Sequence, residues 1–168
     1  MRHGIKSANT LTQKIINYSN LNQRRLVDHL RDFKTQHKTI MVCDDDEDIL
    51  KLFGQALKSK YNVILVSSGK DCIEKLIELQ NLGQKTHLLL LDYRLNGMLG
   101  DSVARKIKEY SETKIILTSA YNVNDELLRE LEDSNCIAKY IEKPIQLGKL
   151  NEIVADIINQ IETVSKYS

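Results

Sequence analysis

The feature of this sequence that most constrains its fold is a fivefold alternation of short apolar runs with stretches of helical periodicity. Each run is three to five residues long and almost continuously apolar, as expected of strands covered on both faces. The runs are Ile40–Cys43, Val63–Val66, Leu88–Leu91, Ile115–Leu117 and Ile137–Ile141. The alternation predicts an α/β fold, a doubly wound sheet of five parallel strands with right-handed crossovers and helices on both faces.

The segments between and after these runs have apolar residues three and four positions apart, which predicts five amphipathic helices. Their apolar faces extend from Ile49 to Leu57, Cys72 to Ile77, Val103 to Ile107, Val123 to Leu131 and Leu147 to Ile161. The last face is the longest. With the strands, these helices form a (βα)5 repeat.

Residues 1–38 differ from the rest of the chain in charge and pattern. They carry a net charge of +6, whereas residues 39–168 carry −5. Thr10–Gln13 fits a capping box, and a second helical pattern runs from about Asn22 to Gln36. We therefore predict a basic helical extension over residues 1–38, arranged as a helical hairpin arm, followed by one folded domain over residues 39–168.

Composition excludes several classes of protein. No run of about 18 apolar residues is present, so we expect no membrane-spanning helix. The three cysteines, Cys43, Cys72 and Cys136, form no CxxC pair, which favours a reducing cytoplasm. The glycine-rich loops of dehydrogenases and P-loop ATPases are also absent.

Chemically active residues follow four of the predicted strands. Asp44 and Asp45 follow the first strand, Asp92 follows the third, Thr118 ends the fourth, and Lys143 follows the fifth. In an open parallel sheet, ligands bind beyond the carboxyl ends of the strands. We therefore expect these side chains to converge on one edge of the sheet.

Three carboxylates at one edge repel each other, and a divalent cation with hard oxygen ligands relieves that repulsion. Mg²⁺ suits such a site because it binds through few carboxylates, keeps several waters and accepts a phosphate oxygen. Lys143 and the Thr118 hydroxyl add groups that can hold a phosphoryl group. An aspartate beside the metal can act as the nucleophile and become an aspartyl phosphate.

Two other readings of the acidic run 44–48 fail on particular residues. A calcium-binding loop needs glycine at its sixth position and glutamate at its twelfth, where this chain has Ile49 and Gln55. Aspartate-nucleophile phosphohydrolases need an acidic pair after the lysine, and Lys143 is followed only by acids within the last helical stretch. A phosphatase of that kind would also leave Asp92 unexplained.

The motifs at the strand ends resemble the receiver domain of two-component response regulators. The resemblance rests on Ile40–Asp46, Leu90–Gly100, Leu117–Ala120 and Tyr140–Pro144, in this order. It spans roughly residues 39–163. It implies a flavodoxin-like strand order of 2-1-3-4-5 and a receiver domain over residues 39–168.

The resemblance also implies a role for each residue of the acidic site. Asp92 would be the phosphoacceptor. Asp45 would bind Mg²⁺ directly, and Asp44 would act mostly through water. The backbone carbonyl of Arg94 would complete the protein ligands.

Three further residues would respond to phosphorylation. Thr118 would hydrogen-bond a phosphoryl oxygen, and Lys143 would pair with it. Tyr140 matches the aromatic position that swings inward once the threonine hydroxyl moves. In this family the Lys143–Pro144 bond is typically cis.

The chain departs from the family pattern after the acceptor. Asn96 stands where proline is usual, and we expect the Asn96-Gly97 pair to make the tight turn through a positive φ. Arg94 and Ala120 occupy positions that tune the lifetime of the phosphoryl group in this family. Residue type alone does not predict that lifetime.

The function implied is that of a phosphoacceptor signalling protein, with no activity beyond its own phosphotransfer and dephosphorylation. The donor would be a sensor histidine kinase or a histidine phosphotransfer protein. Phosphorylation would change the surface of the fourth helix, fifth strand and fifth helix, and thereby partner binding or homodimerisation. The alternative is a nucleic-acid-binding regulator whose basic residues 1–38, including Arg24, Arg25 and Arg31, contact phosphates while the receiver dimerises. We favour packing of this extension over DNA binding.

Overall fold

The computed structural model describes residues 38–165, with side chains through residue 163. The predicted helical arm therefore lies outside the described residues. Five strands and five helices alternate along this part of the chain. The strands are β1 (Thr39–Cys43), β2 (Asn62–Val66), β3 (Leu88–Asp92), β4 (Lys114–Ser119) and β5 (Lys139–Glu142). The helices are α1 (Glu47–Leu57), α2 (Gly69–Asn81), α3 (Gly100–Lys108), α4 (Asp125–Asp133) and α5 (Leu147–Ser165).

The five strands form one parallel sheet in the order β2-β1-β3-β4-β5. This confirms the predicted doubly wound fold and its strand order. The register places Cys43 beside Leu91 and Asp92 beside Thr118, so that these strands end at the same level. A short antiparallel hairpin of Arg94–Leu95 and Met98–Leu99 connects β3 to α3.

The sheet is covered by two apolar layers, which explains why its central strands carry almost continuous apolar runs. Successive strand side chains point to opposite faces. In β1, Met41 belongs to the layer that includes residues of α2 and α3, whereas Ile40 and Val42 belong to the layer that includes residues of α1 and α5. Both faces of the central strands are therefore buried.

Much of the acidic run after β1 has a structural role. The Asp46 side chain caps α1 by accepting hydrogen bonds from the backbone N–H groups of Asp48 and Ile49. Glu47 and Asp48 lie in the first turn of α1, where the helix dipole favours negative charge. Asp44 and Asp45 precede this cap.

The turn after the acceptor strand and the start of β5 differ in how well the sequence predicts them. Gly97 has a φ of 82°, which confirms the predicted positive φ at the Asn96-Gly97 turn. The last strand begins at Lys139 and not at Ile137, because the Ile137 N–H bonds to the Leu131 carbonyl at the end of α4. The Lys143–Pro144 bond is cis, as expected.

Within residues 38–165, no helix has the length and apolar character needed to cross a membrane.

Candidate active site

The predicted site residues lie at the carboxyl edge of the sheet. Asp44 follows β1 directly, Asp92 is the last residue of β3, and Lys143 follows β5. Asp92 pairs in register with Thr118 of β4. The parallel arrangement of the strands therefore collects side chains that are up to 99 residues apart in sequence.

Lys143 joins the two buried carboxylates. Its Nζ lies 2.5 Å from Oδ2 of Asp44 and 2.6 Å from Oδ1 of Asp92. The side chains of Lys143, Asp44 and Asp92 are 11%, 4% and 9% exposed. Charge-assisted hydrogen bonds of this length are strong in a buried site.

Each of the remaining carboxylate oxygens accepts a backbone hydrogen bond. The N–H of Asp46 donates to Oδ1 of Asp44 at 3.0 Å, and the N–H of Arg94 donates to Oδ2 of Asp92 at 2.7 Å. Both bonds reach two residues ahead along the chain, so the local turns hold each carboxylate in place. All four oxygens therefore have a donor.

Burial and ion pairing shift the pKa values of Asp44 and Lys143 in opposite directions. Burial raises the pKa of Asp44 above its ordinary value, although the hydrogen bond from Lys143 partly opposes this. Burial lowers the pKa of Lys143, but the hydrogen bonds to Asp44 and Asp92 outweigh that effect and leave its pKa raised. Lys143 therefore stays charged at neutral pH.

Asp45 is the accessible acid of this edge. It is partly exposed, unlike Asp44, and makes no hydrogen bond or ion pair within residues 38–165. Across the described part of the chain, no three His, Cys, Asp or Glu side chains form a preassembled metal cluster. The donor set nevertheless fits Mg²⁺, because hard carboxylate oxygens outnumber the single ammonium that neutralises them.

The other predicted residues lie close by but do not contact the carboxylates through their side chains. The Thr118 hydroxyl is buried and donates to the Leu91 carbonyl at 3.4 Å. The Tyr140 hydroxyl donates to the Tyr121 carbonyl at 3.3 Å, and its ring is half-buried. Arg94 contacts Asp92 through its N–H, and no contact of its carbonyl with the acidic side chains is seen in the described region.

Sequence reasoning did not find Tyr121. Its ring lies under the guanidinium of Arg94, with 4.1 Å from Cζ to the ring centroid. Its backbone N–H and carbonyl both bind the Ser119 hydroxyl, at 3.0 and 2.9 Å. No motif marks this pair, because the two residues belong to different loops and meet only in the folded chain.

Gly100 fixes the approach of α3 to the acceptor strand. A Cβ at this position would lie 2.5 Å from the Asp92 carbonyl oxygen and 2.9 Å from the Tyr93 Cα. The Gly100 N–H also donates to the Tyr93 carbonyl at 2.7 Å. Gly100 ends the Leu90–Gly100 motif that supported Asp92 as the acceptor, but the motif did not predict this contact.

Comparison with known proteins matches this architecture to one family. The model of the response regulator receiver domain matches residues 40–155. The chain is 30% identical over 123 residues to the transcriptional regulatory protein AruR of Pseudomonas aeruginosa, covering 73% of this chain and 50% of AruR. It is 28% identical over 123 residues to the two-component response regulator ORR7 of Oryza sativa subsp. japonica, covering 71% of this chain and 56% of ORR7.

A solved structure agrees with these matches. The CheY-like response regulator receiver domain from Methanospirillum hungatei superimposes with a TM-score of 0.65 at 26% identity, covering 76% of this chain and 98% of that one. The chain spans about half the length of the curated relatives named above. With the acidic edge and the sheet order described above, these matches show that the chain belongs to the response regulator receiver domain family of two-component signalling proteins.

Proposed function

We propose that Asp92 accepts a phosphoryl group from a phosphohistidine of a sensor histidine kinase or a histidine phosphotransfer protein. A carboxylate oxygen of Asp92 attacks the phosphorus, the P–N bond breaks, and the imidazole leaves with the bonding electron pair and takes up a proton. The product is an aspartyl phosphate. The observation that carries this proposal is the Lys143 ammonium, which lies 2.6 Å from the Asp92 carboxylate.

The chain itself supplies much of the electrostatic stabilisation. Lys143 is positioned to neutralise the phosphoryl oxygens as they approach Asp92, since its raised pKa keeps it charged. The N–H of Arg94 holds Oδ2 of Asp92, which leaves the carboxylate in one orientation for attack.

The same edge supports binding of Mg²⁺. In this proposal Asp45 and Asp92 bind the ion directly, Asp44 acts mostly through water, and the Arg94 backbone carbonyl completes the protein ligands. The bound ion offsets the negative charge shared by the carboxylates and the phosphoryl group. Two features of Asp45 support this role. Its side chain is partly exposed, and it makes no hydrogen bond or ion pair within residues 38–165 that would compete with the metal ion.

Phosphorylation would act as a switch through Thr118 and Tyr140. The Thr118 hydroxyl would leave the Leu91 carbonyl and bind a phosphoryl oxygen, which is supported by the long 3.4 Å bond that it would give up. Tyr140 would then leave the Tyr121 carbonyl and move inward. The surface that changes is that of α4, β5 and α5, and the proposed output is altered partner binding or homodimerisation.

The setting of this activity is also proposed. We place the protein in the cytoplasm, where its phosphodonor partners act, and we divide it into an extension over 1–38 and a receiver over 39–168.

The alternative role of the basic extension in nucleic-acid binding stays a prediction. A salt-dependent shift of duplex DNA that disappears on deletion of residues 1–38 would support it, and the absence of a shift at low salt would contradict it.

The decisive experiment is labelling with a small-molecule phosphodonor and Mg²⁺, read by intact mass. The wild-type protein should gain one phosphoryl group, and Asp92→Asn should gain none. Asp48→Asn is the matched control, because Asp48 is an exposed acid outside the cluster and should leave labelling unchanged. Equal labelling of wild type and Asp92→Asn would refute Asp92 as the acceptor.

A further inference from the structure

A two-residue turn, Asn96-Gly97, closes the hairpin between the acceptor strand β3 and helix α3. It joins the paired segments Arg94–Leu95 and Met98–Leu99. Both turn residues are exposed, and Gly97 has a φ of 82°. A Cβ built on Gly97 would meet no atom within 4 Å, so nothing packs against the turn at this point. Local opening of the turn therefore breaks few contacts.

The turn places side by side the two groups that react when asparagine loses ammonia. The side-chain carbon Cγ of Asn96 is the electrophile, and the backbone nitrogen of Gly97 is the nucleophile. Within residues 38–165, neither the Asn96 side chain nor the Gly97 N–H makes a hydrogen bond. The N–H is therefore open to deprotonation by water or hydroxide, and the absence of a Cβ on Gly97 leaves its approach to Cγ unobstructed.

Asn124 shows that exposure alone does not leave an asparagine unprotected. It is also exposed, but its Oδ1 accepts hydrogen bonds from the N–H groups of Glu126 and Leu127 at 2.8 and 3.1 Å. These capping bonds fix the side chain, and the next residue, Asp125, carries a Cβ. Asparagine followed by glycine occurs only once in the sequence, at Asn96.

We propose that Asn96 is a site of spontaneous deamidation, since asparagine is among the thermally labile residues. The Gly97 nitrogen gives its proton to hydroxide and attacks Cγ of Asn96, which forms a C–N bond and a succinimide ring. The bond from Cγ to the side-chain nitrogen breaks, and that nitrogen takes up a proton from water and leaves as ammonia. Water then adds to either carbonyl of the ring and opens it, giving an aspartyl or an isoaspartyl linkage with one new carboxylate.

The isoaspartyl product changes the loop that holds the proposed phosphoacceptor. Its linkage adds one carbon to the main chain of a two-residue turn, and the register of a hairpin depends on the length of its turn. The N–H of Arg94, in the first paired segment, donates to Oδ2 of Asp92 at 2.7 Å. The longer turn loosens this bond and slows phosphorylation, a consequence that rests on the function proposed for Asp92.

Deamidation is tested by incubating the full chain at mildly alkaline pH, where hydroxide is more abundant, and mapping its peptides by mass spectrometry. A synthetic peptide of residues 93–99 serves as the clock for the unfolded sequence. Over the time in which this peptide is converted, position 96 of the folded chain should lose its amide and become a substrate for an isoaspartyl methyltransferase, while Asn124 stays intact. An intact Asn96 at that time would overturn the proposal.

Asn96→Gln is the matched control, because glutamine must close a six-membered ring, which forms less readily than the succinimide. This variant should accumulate no isoaspartate and should keep its side-chain amide at position 96. Loss of that amide as fast as in the wild type would contradict attack by the Gly97 nitrogen.

Labelling of Asp92 with a small-molecule phosphodonor tests the consequence separately. Aged wild type should be labelled more slowly than fresh protein, and repair by the methyltransferase should restore the rate. Asn96→Asp carries the new charge on an unaltered main chain and should be slowed less than the aged protein. Equal rates for aged and fresh protein would refute the consequence and leave the deamidation standing, whereas absence of labelling in fresh wild type would refute the acceptor itself.

Discussion

The guanidinium of Arg94 stacks on the ring of Tyr121, 4.1 Å from its centroid, and thereby connects the loop after β3 to the loop after β4. Asp92 and Thr118, which end or nearly end these two strands, lie side by side in the sheet. The stacked pair therefore restrains both loops that border the proposed phosphoacceptor.

We predict that the Arg94–Tyr121 pair prolongs the lifetime of the phosphoryl group on Asp92. An exposed cation–π pair contributes about 0.5–1 kcal/mol, so Tyr121→Ala should shorten the phosphoryl lifetime on Asp92 by about twofold to fivefold as the loops loosen. Tyr121→Phe keeps the ring and should behave like the wild type. The lifetime is measured from the decay of the labelled species after the phosphodonor is removed.

A double-mutant cycle separates this effect from independent contributions of the two side chains. If Arg94 and Tyr121 act through each other, Arg94→Ala combined with Tyr121→Ala should decay no faster than either single variant. Multiplicative effects of the two substitutions would contradict the coupling.

Lys143 should matter for stability as well as for chemistry. Lys143→Met keeps much of the apolar stem but leaves Asp44 and Asp92 facing each other without their shared cation. We expect a loss of about 3 kcal/mol in the free energy of unfolding, measured by urea denaturation without Mg²⁺. Lys149→Met breaks only an exposed pair with Glu152 and should change stability little, and a similar small change for Lys143→Met would show that the bridge is weak.

Gly100 should tolerate no side chain. Gly100→Ala places a Cβ against the backbone of Asp92 and Tyr93, which must shift, and should cost about 1–3 kcal/mol of stability and lower labelling at Asp92. Gly148→Ala is the matched control, because nothing lies within 4 Å of a Cβ in α5 and alanine favours helix by up to about 1 kcal/mol. Equal melting temperatures for the two variants would show that the backbone around Gly100 accommodates a Cβ without loss of stability.

His87 predicts a pH dependence of stability. Burial, with help from Lys38 and Lys85, lowers its pKa from 6.5 to about 4, and its Nδ1 accepts the Thr39 N–H at 3.1 Å. The unfolded chain therefore takes up this proton at higher pH than the folded one does, and stability falls as pH drops from about 6.5 to about 4. Since the ring is partly exposed, we expect a loss of about 1–2 kcal/mol from this group.

The contribution of His87 is isolated by comparing urea denaturation of wild type and His87→Asn across this pH range. The asparagine Oδ1 can accept the same backbone hydrogen bond but does not titrate. The wild type should lose more stability than His87→Asn on acidification, whereas parallel curves would assign the pH dependence to other groups.

The sequence determined the sheet and the gathering of polar residues at one edge of it. The five apolar runs required burial on both faces, and strands buried in this way and joined by helices are parallel, so their carboxyl ends meet. The positions of Asp44, Asp92 and Lys143 directly after such runs therefore predicted their approach. The positive φ at Gly97 was also predictable, because a local turn depends on the residues within it.

Only the tertiary structure decided which partners these side chains take. Lys143 binds two carboxylates, Thr118 holds the Leu91 carbonyl, and Tyr121 stacks under Arg94. Likewise, the hydroxyls of Thr86 and Tyr110 lose water without gaining a partner among residues 38–165. Periodicity reports the face on which a side chain lies, whereas these contacts depend on rotamers and on distances between segments far apart in sequence, which are settled when the whole domain packs.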